Sequence, residues 1–289
     1  MDEATGEDPF GLRDASALVV GGASGLGRAV TERLVKAGCR VTVADVADEP
    51  GERLAKELAE RGGEVVYRHA DARRRNEVDA AVAAARAEFG PLEVAVNVVG
   101  NPGGIAGVKP FLDMTEDDLR ARWELNFLST FLCCRSEALA MIRDGVAGRI
   151  VNFGSSSGMV GAPNISGYGA AKAGVIHFTK SAAMELARYG IRVNCVVPGT
   201  HVSPSQSPVT DERIAEFRRR AAEAPVLRRL GEPRETAGVA LFLASELSGY
   251  MTGHSVVSDG GVVHTTARPP VGMDREAQAV RALRERAED

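Results

Sequence analysis

Ser155, Tyr168 and Lys172 are the residues of this chain whose types and spacing promise chemistry. Tyr168 and Lys172 stand four apart, so on a helix they share one face. Ser155 stands just after an apolar run, residues 149–153, and is expected just beyond the end of a strand. A phenol beside an ammonium can give and take a proton, and a hydroxyl can hold a substrate oxygen while charge develops on it. A tyrosine has a reference pKa of about 10, too high for a base at neutral pH, and a nearby cation lowers it.

A second constellation lies upstream. Gly21-Gly22-Ala23-Ser24-Gly25-Leu26-Gly27 separates an apolar strand from a helix. Glycines there permit a tight turn and a close approach to a pyrophosphate, and the helix N-terminus offers free N–H groups to its charge. Asp45 closes the second strand eighteen residues after Gly27, near the spacing at which a carboxylate takes ribose hydroxyls. The same carboxylate repels an extra 2′-phosphate, and no basic residue directly follows it, so NAD is expected rather than NADP. Asp71 ends the third strand and carries two readings, a helix N-cap or, with Ala72, an adenine contact.

These residues need a scaffold that brings strand ends together. Apolar runs at 17–20, 40–45, 64–69, 92–97, 149–153, 192–197 and 255–258 read as strands. Helical patterns fall between them: one ending at Ala37, then 52–61, one ending at Phe89, 116–143, one from Tyr168 to about 188, and 235–247. Alternation of this kind predicts an α/β fold, a single-domain, Rossmann-like, doubly wound parallel sheet of seven strands with helices on both faces. Ligands of such sheets sit beyond the carboxyl ends of the strands, where the candidate residues fall. The domain is expected over 13–263, with 1–12 and 264–289 as polar, flexible tails.

Composition narrows the partners. A net charge of −4 over 289 residues gives no reason to expect nucleic acid. The arginine runs at 73–75 and 218–220 read as solvated faces. No apolar run reaches the roughly 18 residues of a membrane span, and the acidic N-terminus is unlike a signal peptide, so a cytoplasmic protein is expected. The four cysteines and five histidines show no metal-ligand spacing, so no metal is expected.

With these residues collected, the sequence resembles the short-chain dehydrogenase/reductase superfamily, classical type, over residues 13–263. The family's TGxxxGxG stands as residues 20–27, with Val20 in place of threonine. NNAG appears as Asn97-Val98-Val99-Gly100, and the active-site asparagine as Asn126. YxxxK is Tyr168-Gly169-Ala170-Ala171-Lys172, followed by Pro198-Gly199 and a late Asp259-Gly260-Gly261. The family places its serine thirteen residues before the tyrosine, which selects Ser155, with Ser157 as the weaker alternative.

The resemblance implies a dehydrogenase that interconverts a secondary alcohol and a ketone by hydride transfer. Tyr168 would be the general acid/base and Ser155 the holder of the substrate oxygen. Lys172 would bond the nicotinamide ribose, and Asn126 a water that links Lys172 to solvent. The coenzyme set would comprise Gly21, Ser24, Gly25, Leu26, Gly27, Asp45, Asp71, Ala72, Asn97, Gly100, Tyr168, Lys172, Pro198, Gly199, His201 and Ser203. His201 and Ser203 replace the family's aliphatic residue and threonine. Ser203 keeps the hydroxyl; His201 is expected as a solvated loop residue that binds through its backbone, with a side-chain reach to substrate or nicotinamide as the other reading. A homotetramer, built through the helices of Asn126 and Tyr168 and the last strand, is also implied.

Substrate choice is assigned to 102–110, 157–166 and 201–230, the last read as a lid containing a helix at 211–224. Met159, Val160, Ala162 and Ile165 suggest an apolar wall, and no Arg or Lys is clearly placed to grip an anion. A neutral alicyclic, terpenoid, polyketide or steroid-like alcohol or ketone is therefore expected. The other readings are an NADPH-dependent 3-oxoacyl-thioester reductase and a non-catalytic NAD(H)-sensing protein. Asp45 counts against the first, and the intact Asn-Ser-Tyr-Lys set against the second.

Overall fold

Seven short apolar runs pair side by side: β1 (Ser16–Val20), β2 (Arg40–Asp45), β3 (Val65–His69), β4 (Val94–Asn97), β5 (Arg149–Phe153), β6 (Arg192–Pro198) and β7 (Ser255–Ser258). They make one all-parallel sheet in the order β3-β2-β1-β4-β5-β6-β7. The computed structural model describes residues 8–103, 107–201, 216, 219 and 221–264.

Each central strand is buried on both sides because successive side chains point to opposite faces. Ala17 and Val19 of β1 enter one core, with α1 (Gly25–Lys36), α2 (Asp48–Ala59) and the helix Pro233–Ala244. Leu18 and Val20 enter the other, with α3 (Arg75–Phe89) and two further helices, α5 (Ser129–Asp144) and α6 (Ser166–Leu186). Between α3 and α5 lies α4 (Glu116–Trp123); Pro233–Ala244 is α7.

Several expectations change in detail. α2 begins at Asp48, four residues before its expected start; Pro50 sits in its first turn, where a missing N–H has no intrahelical partner to lose. The expected boundary at residue 13 moves outward, because Leu12 is 0% exposed in the core and Phe10 packs against it. The helix expected over 116–143 is continuous but not regular: a wide π-turn, Glu124–Leu128, joins α4 to α5. By length and apolarity the combined span Glu116–Asp144 would pass for a membrane helix, yet 56% of its apolar stretch is buried, and α5 packs on β4 and β5. Of the lid helix expected over 211–224, residues 216, 219 and 221–223 are helical and Ala224 already lies in a bend; residues 211–215, 217, 218 and 220, together with Ser203 and the tail 265–289, lie outside the described residues.

Candidate active site

Beyond the carboxyl ends of the strands lies a cavity of ≈ 610 Å³. One end is bordered by the glycine turn, Asp45 and Asp71, the other by Ser155, Tyr168, Gly199 and His201. The turn between β1 and α1 is possible only with glycine at two places. Gly21 has φ +77°, and a methyl group on it would run into the Val98 carbonyl; one on Gly27 would run into the Gly21 carbonyl. Ser24 is the N-cap of α1 but caps with no side-chain hydrogen bond, and no acidic residue occupies the first turn. The positive end of the helix is left available to an anion.

Asp45 ties β2 to this turn, accepting from the Ala23 N–H at 3.0 Å and the Ala47 N–H at 3.1 Å. Each carboxylate oxygen keeps a second lone pair for a further donor. Asp71 lines the cavity too, but the N-cap reading fails: Arg74 occupies that position. Its carboxylate instead accepts from the Arg73 backbone at 3.0 Å and from the Arg73 guanidinium at 2.7 Å. Arg73 borders the cavity as well, so this member of the arginine run is no mere solvated face. Ala72 and Gly100 also line the cavity.

At the other end, β5 delivers Ser155 and α6 delivers Tyr168. Burial pushes the Tyr168 phenol up, and the Ser155 hydroxyl is the group that draws it down. Lys172 sits one helical turn on and is 2% exposed. Its ammonium donates to the Val99 carbonyl at 2.9 Å and the Phe153 carbonyl at 2.8 Å. Burial lowers its pKa to about 8. Two of its three N–H groups are engaged, leaving one.

Asn126 is fully buried in the π-turn. Its amide donates to the Asn101 carbonyl at 3.2 Å and the Arg122 carbonyl at 2.9 Å, while Oδ1 has no hydrogen-bond partner. A buried, orphaned acceptor of this kind suits a bound water.

The side chains of two expected ligand residues are engaged by the protein itself. The Asn97 side chain turns into the core, donating to Glu137 at 2.9 Å and Asn152 at 3.1 Å, and does not enter the cavity. Glu137 is wholly buried, and burial raises its carboxyl to about 8. It lies one helical turn after buried Cys133 on α5, a spacing that marks it as inward-facing. His201 is not solvated: it is half-buried, with Nδ1 2.9 Å from the Gly199 carbonyl and Nε2 2.7 Å from the Thr236 hydroxyl.

The free helix end, the two glycine close approaches and the ribose-distance carboxylate fit a dinucleotide, and the sheet order places them where doubly wound oxidoreductases bind theirs. A family model described as enoyl-(acyl carrier protein) reductase matches residues 21–263. The chain belongs to the short-chain dehydrogenase/reductase superfamily, classical type. It is 36% identical over 250 residues to 2,5-dichloro-2,5-cyclohexadiene-1,4-diol dehydrogenase of Sphingobium indicum, covering 86% of this chain and 97% of that one. A 3-oxoacyl-[acyl-carrier-protein] reductase of Chlamydia pneumoniae is 33% identical, with 86% and 96% covered. Among solved structures, a gluconate dehydrogenase of Agrobacterium tumefaciens, named as putative, superposes with TM-score 0.81 at 28% identity, over 89% of this chain and 99% of that one. The protein is an oxidoreductase acting on CH–OH groups, with a nicotinamide coenzyme.

Proposed function

We propose that the protein is an NAD-dependent dehydrogenase of a neutral cyclic secondary alcohol or diol, with Tyr168 as general acid/base. The observation that carries this reading is the single cavity shared by Tyr168, Ser155, the glycine turn and Asp45. A nicotinamide bound there supplies the hydride acceptor or donor. The Ser155 hydroxyl holds the substrate oxygen, and Tyr168 takes the alcohol proton in oxidation or returns it in reduction. Buried Lys172 supplies the cation that favours phenolate, and its remaining N–H suits the ribose. The orphaned Asn126 Oδ1 suits the water of a proton path.

Two points support NAD. Asp45 faces the ribose end, and the nearby guanidinium of Arg73 is occupied by Asp71, so it is not free to receive a 2′-phosphate. Support for a neutral ring comes from the similarity to a cyclic diol dehydrogenase and from apolar Val99 and Leu125 at the reaction end. A homotetramer belongs to the same reading, since Trp123, Leu128, Phe131 and Met184 leave apolar surface on the helices that would meet. So does a cytoplasmic location, in keeping with four free cysteines.

The test is reduced-nicotinamide absorbance with a panel of cyclic diols, simple alcohols and hydroxy acids, offered NAD or NADP, alongside Tyr168→Phe. Turnover with NAD and a cyclic alcohol is expected, falling on the order of 10²–10⁴-fold in the variant. Unchanged turnover in the variant would remove the proton role, and a preferred hydroxy acid would remove the neutral-substrate reading.

A further inference from the structure

His201 stands in a wall between two cavities. On one side is the ≈ 610 Å³ site with Tyr168 and Ser155. On the other is a space of ≈ 100 Å³ bordered by Thr236, Ser258, Arg229 and Glu235. The ring is held by a polar chain that runs Gly199 carbonyl, His201, Thr236, Ser258, with links of 2.9, 2.7 and 2.8 Å.

The proton positions in this chain follow from donor and acceptor types. A carbonyl only accepts, so Nδ1 carries the hydrogen. In the neutral ring Nε2 then accepts from the Thr236 hydroxyl, whose oxygen accepts from Ser258. The same strip is fixed a second time, since the Gly231 N–H donates to the Thr200 carbonyl at 3.0 Å. Gly231 lies against the ring so closely that a methyl group on it would come within 2.8 Å of Nε2.

We propose that His201 is a positioning residue for the coenzyme: its neutral imidazole fixes the strip 198–201 against α7, and protonation loosens that strip and weakens dinucleotide binding. The inference rests on the dehydrogenase reading of the same cavity. Protonation places an N–H against Thr236, forces the threonine hydrogen towards Ser258 and leaves the serine to find another acceptor. Burial resists the added charge and lowers the His201 pKa; the Gly199 carbonyl and Glu235 oppose that shift. Glu235, in the first turn of α7, is paired with Arg229 at 2.6 Å and held down to about 2, so its charge is constant through the imidazole range. Asp259, across the smaller cavity, accepts from the Gly261 and Val263 N–H groups. A histidine whose folded pKa is depressed makes its full contribution above its unfolded value of about 6.5 and loses it as pH falls through the lower folded value.

NADH binding, measured by fluorescence from about pH 8 to about pH 5, tests this in the wild type, His201→Gln and His201→Ile. Glutamine can accept from Thr236 without titrating. The wild type should lose affinity by roughly 3–10-fold on acidification, a fraction of the tenfold per pH unit that one proton allows. His201→Gln should bind nearly as well at all pH values. His201→Ile should bind about tenfold more weakly, without pH dependence, with KM for NAD raised and kcat within about threefold. Affinity that is flat with pH in the wild type, or that titrates alike in His201→Ile, would overturn the role of His201. NADH binding by none of the three proteins would overturn the dinucleotide reading and this role with it.

Discussion

At the end of the cavity bordered by Asp45 and Asp71, charged side chains meet solvent and one another: Asp71 with Arg73, and, just outside, His69 with Asp48 at 2.8 Å. At the end bordered by Ser155 and Tyr168 there is almost no charge pairing. Lys172 is held by two backbone carbonyls, His201 by a carbonyl and a hydroxyl, and Asn126 by two carbonyls. Exposed pairs contribute about 0–1 kcal/mol and can be exchanged freely. Buried groups held by backbone are different, since removing one leaves its partners orphaned at a cost of about 1–3 kcal/mol each. Apart from Asp45, which two backbone N–H groups hold, the coenzyme end is therefore the more adjustable and the reaction end the more fixed.

The largest effect that tests this contrast is at Lys172. Lys172→Met removes the buried cation and its hydrogen bonds to the Val99 and Phe153 carbonyls. We expect kcat to fall on the order of 10²–10⁴-fold and the thermal midpoint to drop by several degrees. Retained stability in a calorimetric scan would show that the reaction end is as forgiving as the other. A smaller, purely selective effect is expected from Asp45→Asn. Relative kcat/KM should move towards NADP by about tenfold, the equivalent of about 1.4 kcal/mol, with little change in the thermal midpoint. Adding Asp71→Asn, which frees Arg73, should extend the shift; loss of folding in either variant would break the comparison.

The smallest effect concerns Glu137, below the reaction end. Its folded pKa is raised from 4.5 to about 8, so its contribution to stability is best at low pH and declines as pH rises through that window. Glu137→Gln cannot ionise. Its thermal midpoint should exceed that of the wild type by a few degrees near pH 8, a difference that fades towards pH 5. A difference that grows on acidification would mean that the carboxylate, and not the neutral acid, holds Asn97.

Much of this was legible before any coordinates. The limits of β2, β5 and β7 coincide with the expected runs, because β-branched residues bounded by glycine and polar punctuation leave little freedom of register. The cavity also gathers Ser155, Tyr168, Asp45 and the glycine turn, each marked by type and spacing. What escaped was the direction of side chains at strand and helix ends. Asn97 lies at the end of β4, where one more or one fewer residue decides whether an amide faces core or ligand. The sequence leaves His201 looking solvated because its hydroxyl partner, Thr236, is thirty-five residues away. Leu12 looked like part of a polar tail because a single apolar residue carries no period.

The π-turn at Glu124–Leu128 has a consequence for insertions and deletions. A regular helix advances about 100° per residue, so one additional residue in a turn acts as a phase shifter for everything after it. Removing one residue here would leave length and apolarity almost untouched, yet rotate Ser129–Asp144 against the sheet and carry Asn126 away from the Asn101 carbonyl. In the surface loops a change of one residue is a local matter; at this point it would re-index the whole face of a core helix.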